Sequence, residues 1–318
     1  MPRLDARFAA LGALILLTLI WSYNWIVMKQ VLRFAGPFDF AALRYVFGSA
    51  VLFAILIVRG DSLRPPPLVQ TLLIGLAQTT GFQALVQLAL VHGGAGKTAL
   101  LAFTMPFWSV LLAWLLIAER PLRRQVLSLA MALAGLVLIL EPWRDFGSAP
   151  SAALAIGGGM CWATGVVLSK RLFARNQTGV LSLTAWQMLA GTVGLVLIAL
   201  VADEPPVQWS HYFIGALIYN GVLSSGLAWL LWSFIVERLP TPIASLSSLS
   251  IPITGVLLAW WLLGERVSAI EGCGIVLVAT ALLVVNARRR QAARLQSPEP
   301  DRGRMFVAKQ PKPFVPDR

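Results

Sequence analysis

An all-α integral membrane fold of ten transmembrane helices, laid out as two inverted five-helix repeats, is what this sequence predicts, and three observations carry the prediction. Of 318 residues, 58% are apolar and only 13% charged, about half the charged share of an ordinary soluble domain. The apolar residues fall in runs close to the roughly 20 that a helix needs to cross a bilayer. A sixteen-residue stretch of the first half also recurs in the second. A soluble protein of this length needs a polar exterior, and the residues to make one are missing.

In chain order the expected spans are Phe8–Met28, Ala41–Val58, Leu68–Val91, Thr98–Ile117, Leu122–Leu140, Ala152–Leu168, Leu181–Val201, Tyr212–Val236, Thr241–Leu263 and Val267–Val285. The first is too long for a cleaved leader and ends in Trp25-Ile26-Val27-Met28-Lys29, without a small-residue cleavage site. Membrane strands are a poor alternative, because no run alternates apolar and polar with period two. The connections leave no room for a soluble domain.

Loop charge sets the expected orientation. With ten spans both termini share one side. That side then carries eleven loop Lys or Arg plus nine in the C-terminal tail, against five (Lys29, Arg33, Lys97, Arg144 and Arg266) on the other. The termini are therefore expected in the cytoplasm. The protein carries a formal charge of +12, of which the segment from Arg288 onward holds half. This segment is expected to be a disordered tail at 287–318, with Arg288-Arg289-Arg290 resting on anionic lipid head groups. It lacks the aromatic or glycine-rich interleaving of a nucleic-acid binder, so no nucleic-acid partner is expected. Two cysteines in separate apolar runs, Cys161 and Cys273, and two isolated histidines, His92 and His211, offer neither a disulfide framework nor a metal site. No metal and no cofactor is expected.

The strongest internal signal is the repeat. MPFWSVLLAWLLIAER at 105–120 and IPITGVLLAWWLLGER at 251–266 share nine of sixteen positions, aligning Pro106 with Pro252, Trp114 with Trp260 and Glu119-Arg120 with Glu265-Arg266. Weaker echoes pair Trp21 with Trp162, Lys29 with Lys170, Gly48 with Gly191 (which sets Arg44 opposite Gln187), and Gly75 and Gly81 with Gly215 and Gly221. The chain thus divides into two units, 8–140 and 152–286. Five spans is an odd number, so the second unit lies upside down relative to the first. Inverted repeats are the architecture of alternating access, with substrate bound near the midplane between them.

IWSYNWIVMK in the first span, FDFAALRY at the start of the second, and the proline-centred fourth span ending in Glu-Arg with its second copy together resemble the EamA domain. That domain occurs as a tandem pair in the drug/metabolite transporter superfamily. The resemblance covers residues 8 to about 286. It implies a ten-helix inner-membrane (plasma-membrane) carrier, often an exporter of metabolites or amino-acid-like compounds, with no catalytic residues to carry over.

Single motifs admit two readings each. His92-Gly93-Gly94-Ala95-Gly96-Lys97-Thr98 imitates a phosphate loop, but the first glycine of GxxxxGK[ST] falls on Val91, so it reads as a turn. Pro106 and Pro252 each remove a helical hydrogen bond in mid-span and read either as static kinks or as hinges. Glu119 and Glu265 read as interfacial charges or as proton-coupling groups. Arg44, near the start of its span, is expected to snorkel and is left out of the site. Trp21, Asn24, Trp25, Gln83, Gln87, Trp108, Gln187 and Asn220, with Trp186 and Trp229, are expected to line a midplane cavity for a small amphipathic or zwitterionic metabolite. Each alone is equally interhelical glue. No Asp or Glu lies at the centre of a span, which argues against an intramembrane enzyme, and the inverted repeat argues against a channel. The expected function is a secondary transporter, in the sense of an exporter.

Overall fold

A computed structural model describes residues 2–143, 148–175, 178–263 and 268–295, with side chains between Leu11 and Val285 except Val256 and 259–263. In order the helices are α1 (Pro2–Val31), α2 (Pro37–Val58), α3 (Leu68–Ile74), α4 (Phe82–His92), α5 (Ala95–Ala102), α6 (Met105–Ile117), α7 (Arg123–Leu140), α8 (Ala149–Arg175), α9 (Val180–Val201), α10 (His211–Ile218), α11 (Ala228–Arg238), α12 (Thr241–Ser247), α13 (Ser250–Leu263) and α14 (Ala269–Leu295). Wider π-helical segments, Gly75–Gly81 and Tyr219–Leu227, join α3 to α4 and α10 to α11.

Among the described residues eight helices are long and apolar enough to cross a membrane, five of them before residue 141. The ninth expected span is broken into α12 and α13, and the apolar part of the tenth, Ala269–Val285, is shorter. Residues 1–285 form one compact unit and Asn286–Arg318 another. Helix α14 continues to Leu295, past the expected start of the tail. The tail beyond it, and the repeat residues Glu265 and Arg266, lie outside the described residues.

The outer surface is the apolar one: Leu115, Leu200, Val201 and Leu283 are all more than 60% exposed. The interior instead holds buried amides, hydroxyls and Arg44. This inversion is what a lipid solvent demands, since polar groups must find partners inside the bundle.

Helices α2 and α9, each 22 residues long, pack against each other. Ser49 of α2 lies 3.2 Å from Thr192 of α9, 143 residues later, hydroxyl to hydroxyl, so the two copies meet at equivalent positions. The lysine pair obeys the same symmetry. Lys29 Nζ donates to the carbonyls of Leu90 and Gly93 at the end of α4. Lys170 Nζ donates to those of Val236, Glu237 and Leu239 at the end of α11. Each cation satisfies orphan helix-end carbonyls and opposes the negative end of the helix dipole.

The third and eighth spans correct one expected pairing. Phe82–His92 and Ala228–Arg238 match end to end at a spacing of 146, which aligns Gly75 with Gly221, not with Gly215. Gly75 sits against α9, where an added Cβ would fall 2.4 Å from the Gln187 carbonyl oxygen and 2.9 Å from the Gly191 nitrogen. Gly221 faces α2 with Phe47 Cβ at 2.6 Å from the same position, whereas Gly215 meets nothing. Small residues here bring backbones close, as in other membrane helix pairs.

Gly75→Ala is accordingly expected to lower the folded yield in detergent sharply, because backbone atoms cannot yield to the methyl. Gly215→Ala is expected to be neutral or to stabilise by about 0.5–1 kcal/mol through helix propensity. Equal thermal unfolding of the two variants would contradict the close-packed junction.

Candidate functional site

The π segments place the site. A π turn widens the helix by one residue and shifts the register of the residues after it, a feature often found at functional positions. Phe82 and Gln83 begin the helix after the first π segment, Asn220 lies in the second, and Trp229 is the second residue of the helix after it. These residues converge with α1, α2, the end of α5 and α8.

The centre is an aromatic cluster. Trp21 packs edge-on against Trp162 and Trp229, at centroid distances of 5.5 and 5.1 Å. Trp162 also meets Phe82, Phe103 and Trp232 at 5.1 to 5.5 Å. Edge-to-face contacts of this kind add to the burial of large apolar rings. Beside the cluster lies a cavity bounded by Trp21, Asn24, Trp25, Met28, Arg44, Phe82, Gln83, Val86, Phe103, Trp162 and Trp229. Its space for the centre of a water molecule is about 30 Å³, room for about two waters.

Of the expected site residues, Trp21, Asn24, Trp25, Gln83 and Trp229 line this cavity. Asn24 donates to the Met28 sulfur at 3.0 Å and leaves its buried carbonyl oxygen without a partner among the described residues. Asn220 stands behind the wall, accepting from Arg44 at 2.8 Å and donating to the Ala216 carbonyl at 3.0 Å. The other four lie elsewhere. Gln87 is fully buried one turn past Gln83, and neither end of its amide is partnered among the described residues. Trp108 donates to Thr104 at 3.3 Å on its own helix. Trp186 packs against Phe53, and Gln187 accepts from Thr79 at 3.1 Å between α9 and the first π segment.

Arg44 reverses its expected placement. It is 2% exposed, lines the cavity and does not reach the interface. One guanidinium nitrogen donates to Asn220 Oδ1 at 2.8 Å. The other donates to Gln83 Oε1 at 3.2 Å and to the Tyr45 hydroxyl at 3.4 Å. The Phe40 and Tyr45 rings flank the group. All these partners are neutral, and Nε has none among the described residues. The partners of Arg44 account for its burial: Asn220 and Gln83, from the eighth and third spans, hold the head group inside the bundle, so nearness to a helix start is not nearness to water. Glu204 and Gln208 of the loop after α9 close over the start of α2, Gln208 N–H donating to the Phe34 carbonyl at 2.7 Å. Trp162 was within reach of sequence reasoning as the repeat partner of Trp21; the register shift that brings Phe82 in was not.

The two prolines sit in the first turn of helices that start anew. Helix α5 stops at Ala102 and α6 begins at Met105, so Pro106 follows a break and does not kink a continuous helix. Pro252 has the same relation to the break between Ser247 and Ser250. Serines cover the breaks: Ser109 donates to the Pro106 carbonyl and to Ser245 Oγ at 2.7 Å. Glu119 accepts from the Thr241 N–H and hydroxyl at 3.0 and 2.6 Å, which commits it to capping α12.

A second, larger opening lies at the ends of α1, α2, α9 and α11, with about 1010 Å³ open to the centre of a water molecule. Its mouth carries Arg59, Asp61, Arg64 and Arg238, and its inner end reaches Leu230, the chain neighbour of the cavity residue Trp229.

The EamA-like transporter family profile matches residues 8–141 and 149–287. An uncharacterized transporter of Bacillus subtilis (strain 168), YoaV, is 23% identical and is matched over 85% of this chain and 94% of its own length. A probable amino-acid metabolite efflux pump of Escherichia coli (strain K12) is 24% identical over 89% and 97%. A crystal structure at 24% identity covers 91% of this chain and 99% of its own, with a TM-score of 0.73, and shares the fold.

Gln87→Leu is expected to hold or raise stability, since it removes a buried amide whose unmet hydrogen bonds cost about 1–3 kcal/mol. Gln83→Leu, which strips an acceptor from Arg44, is expected to lower stability by a similar amount. Thermal unfolding in detergent decides, and a Gln87→Leu protein as damaged as Gln83→Leu would contradict the assignment.

Proposed function

The chain belongs to the EamA-like transporter family, and on that footing we propose that it is a secondary transporter that exports a small zwitterionic or amphipathic metabolite by alternating access, with Arg44 taking the metabolite's carboxylate. One observation carries this reading: Arg44 is a buried cation on the wall of a central cavity, with only neutral partners and with Nε unpartnered among the described residues. A buried charge held by neutral groups alone remains several kcal/mol short of its hydration. A carboxylate supplies what is missing, because the planar guanidinium accepts it in two parallel, charge-assisted hydrogen bonds.

The rest of the wall suits the remainder of such a compound. The unpartnered Asn24 oxygen is an acceptor for an ammonium group, and the indole faces of Trp21 and Trp229 suit an apolar side chain. The present volume of about 30 Å³ is too small for a metabolite, so binding requires the walls to part. Relatives described as probable amino-acid metabolite efflux pumps support both the substrate class and the outward direction. The loop-charge partition supports a plasma-membrane protein with both termini in the cytoplasm, which puts the large opening beside Asp61 on the cytoplasmic side.

Reconstituted protein is expected to give saturable flux with counterflow. Arg44→Gln should lower that flux, per folded protein, about 10- to 100-fold, the loss of one charge-assisted contact. Arg44→Lys should recover part of it. Wild-type flux in Arg44→Gln, or flux linear in concentration, would overturn the reading. An impermeant thiol reagent should label Trp209→Cys and not Ser62→Cys in intact cells.

A further inference from the structure

The two faces of the bundle treat equivalent residues differently. At one face Glu204, three residues past the end of α9, reaches across to the start of α2. Its oxygens accept from the backbone N–H groups of Phe38 and Asp39 at 3.0 and 2.9 Å. The contact leaves no room for a side chain at the N-cap of α2, since a Cβ on Gly36 would fall 2.1 Å from Glu204 Oε2. The same face is sealed further by the hydrogen bond from Gln208 to Phe34, by the hydroxyl of Tyr212 on Gln30, and by the Phe34 and Tyr212 rings.

The spacing of 143 that joins Ser49 to Thr192 carries the capping part of this arrangement to the other face, while Gln208 and Tyr212 fall on Pro65 and Val69. Pro37–Val58 maps onto Val180–Val201 end to end, Gly36 onto Gly179, and Glu204 onto Asp61, which stands three residues past α2. There the contact is open. Asp61 turns outward onto Arg59 at 2.9 Å, in a pair that is 65% and 41% exposed and so is worth at most about 1 kcal/mol. The N-cap Gly179 has the extended backbone of Gly36, but a Cβ on it would meet nothing within 4 Å. Asp61, Ser62, Gly179, Val180, Leu181 and Ser182 all border the large opening.

We infer that Glu204 and Asp61 are a pair of alternating latches, each capping the first turn of the partner repeat's second span in one of the two transport states. The structure holds the state with Glu204 engaged. In the other, Asp61 accepts from the N–H groups of Leu181 and Ser182 beside Gly179, the large opening closes, and Glu204 leaves α2. The exchange trades one capped helix start for another, so the two states stay close in energy while each face seals only when the other opens. This explains the glycine at Gly179, for which the present conformation supplies no neighbour. The inference rests on the alternating-access reading and adds the residues that perform the alternation.

The test uses the full chain in nanodiscs, with Cys161→Ser and Cys273→Ser as background. Spin labels go at Ser62 and Thr178 across the large opening, and in a second protein at Arg33 and Asp203 across the opposite face. Glu204→Gln is expected to shift the population about tenfold, the loss of a charged cap, toward a short Ser62–Thr178 and a long Arg33–Asp203 distance. Asp61→Asn should shift it about tenfold the other way. Gly179→Ala should unfold at the wild-type temperature, since its methyl touches nothing here, yet abolish the second state, and Gly36→Ala should favour that state. Distances unchanged in both carboxylate variants, or moving in the same direction, would overturn the latch, as would both states persisting in Gly179→Ala. Wild-type counterflow in proteoliposomes keeps the two ideas apart. Counterflow without the opposed shifts refutes the latch and leaves the carrier. The opposed shifts without counterflow refute the carrier and leave the latch.

Discussion

A single positive charge buried at membrane depth constrains the rest of this molecule. Arg44 has exchanged water for Asn220, Gln83, a tyrosine hydroxyl and two aromatic rings. Each of those groups needs support of its own. Asn220 is anchored through its amide to Ala216, and Tyr45 accepts from the Trp229 indole at 2.8 Å. Trp229 in turn packs on Trp21 and Trp162, one from the first span of each half. The charge thus ties the second, third and eighth spans into the aromatic centre, and the π segments set the register in which these side chains meet.

The repeat builds a frame that is symmetric in its helix-end clamps and breaks and unsymmetric at the central cavity. The lysine clamps of Lys29 and Lys170 fall on corresponding carbonyls, and the breaks before Pro106 and Pro252 correspond as well. At the Arg44 position the second half has Gln187, a neutral side chain satisfied in part by Thr79. The cation therefore stands on one side of a pseudo-symmetric cavity. A compound with one charged end and one apolar end fits such a wall in one orientation.

The membrane class and the two halves were legible because a lipid solvent writes itself into long apolar runs, and because Pro, Trp, Glu and Arg do not align by chance. The inward faces of α1 were legible too, since Trp21, Asn24 and Trp25 keep helical spacing and no break intervenes. Helical spacing failed at the first π segment: Thr80, three residues before Gln83, does not join it on the cavity wall and bonds the Gly191 carbonyl at 2.8 Å. It failed again in the ninth span, expected as one helix over Thr241–Leu263, where Ser247 and Ser250 flank a break. Arg44 was misplaced for a different reason. Its distance along the helix to the loop says nothing of what its head group reaches, and the contacts with Gln83 and Asn220 that hold it inside span 39 and 176 residues of chain.

Binding of a matched pair of ligands to wild-type protein tests the central claim most directly. A screen by thermal shift identifies an amino-acid-like binder, which is then compared with the same compound bearing a carboxamide in place of its carboxylate. The two differ little in shape and fully in charge. If an uncompensated Arg44 organises the site, the carboxylate binds at least about tenfold more tightly, and the difference narrows in Arg44→Gln. Equal affinity of the carboxylate and the carboxamide for the wild-type protein would contradict the account.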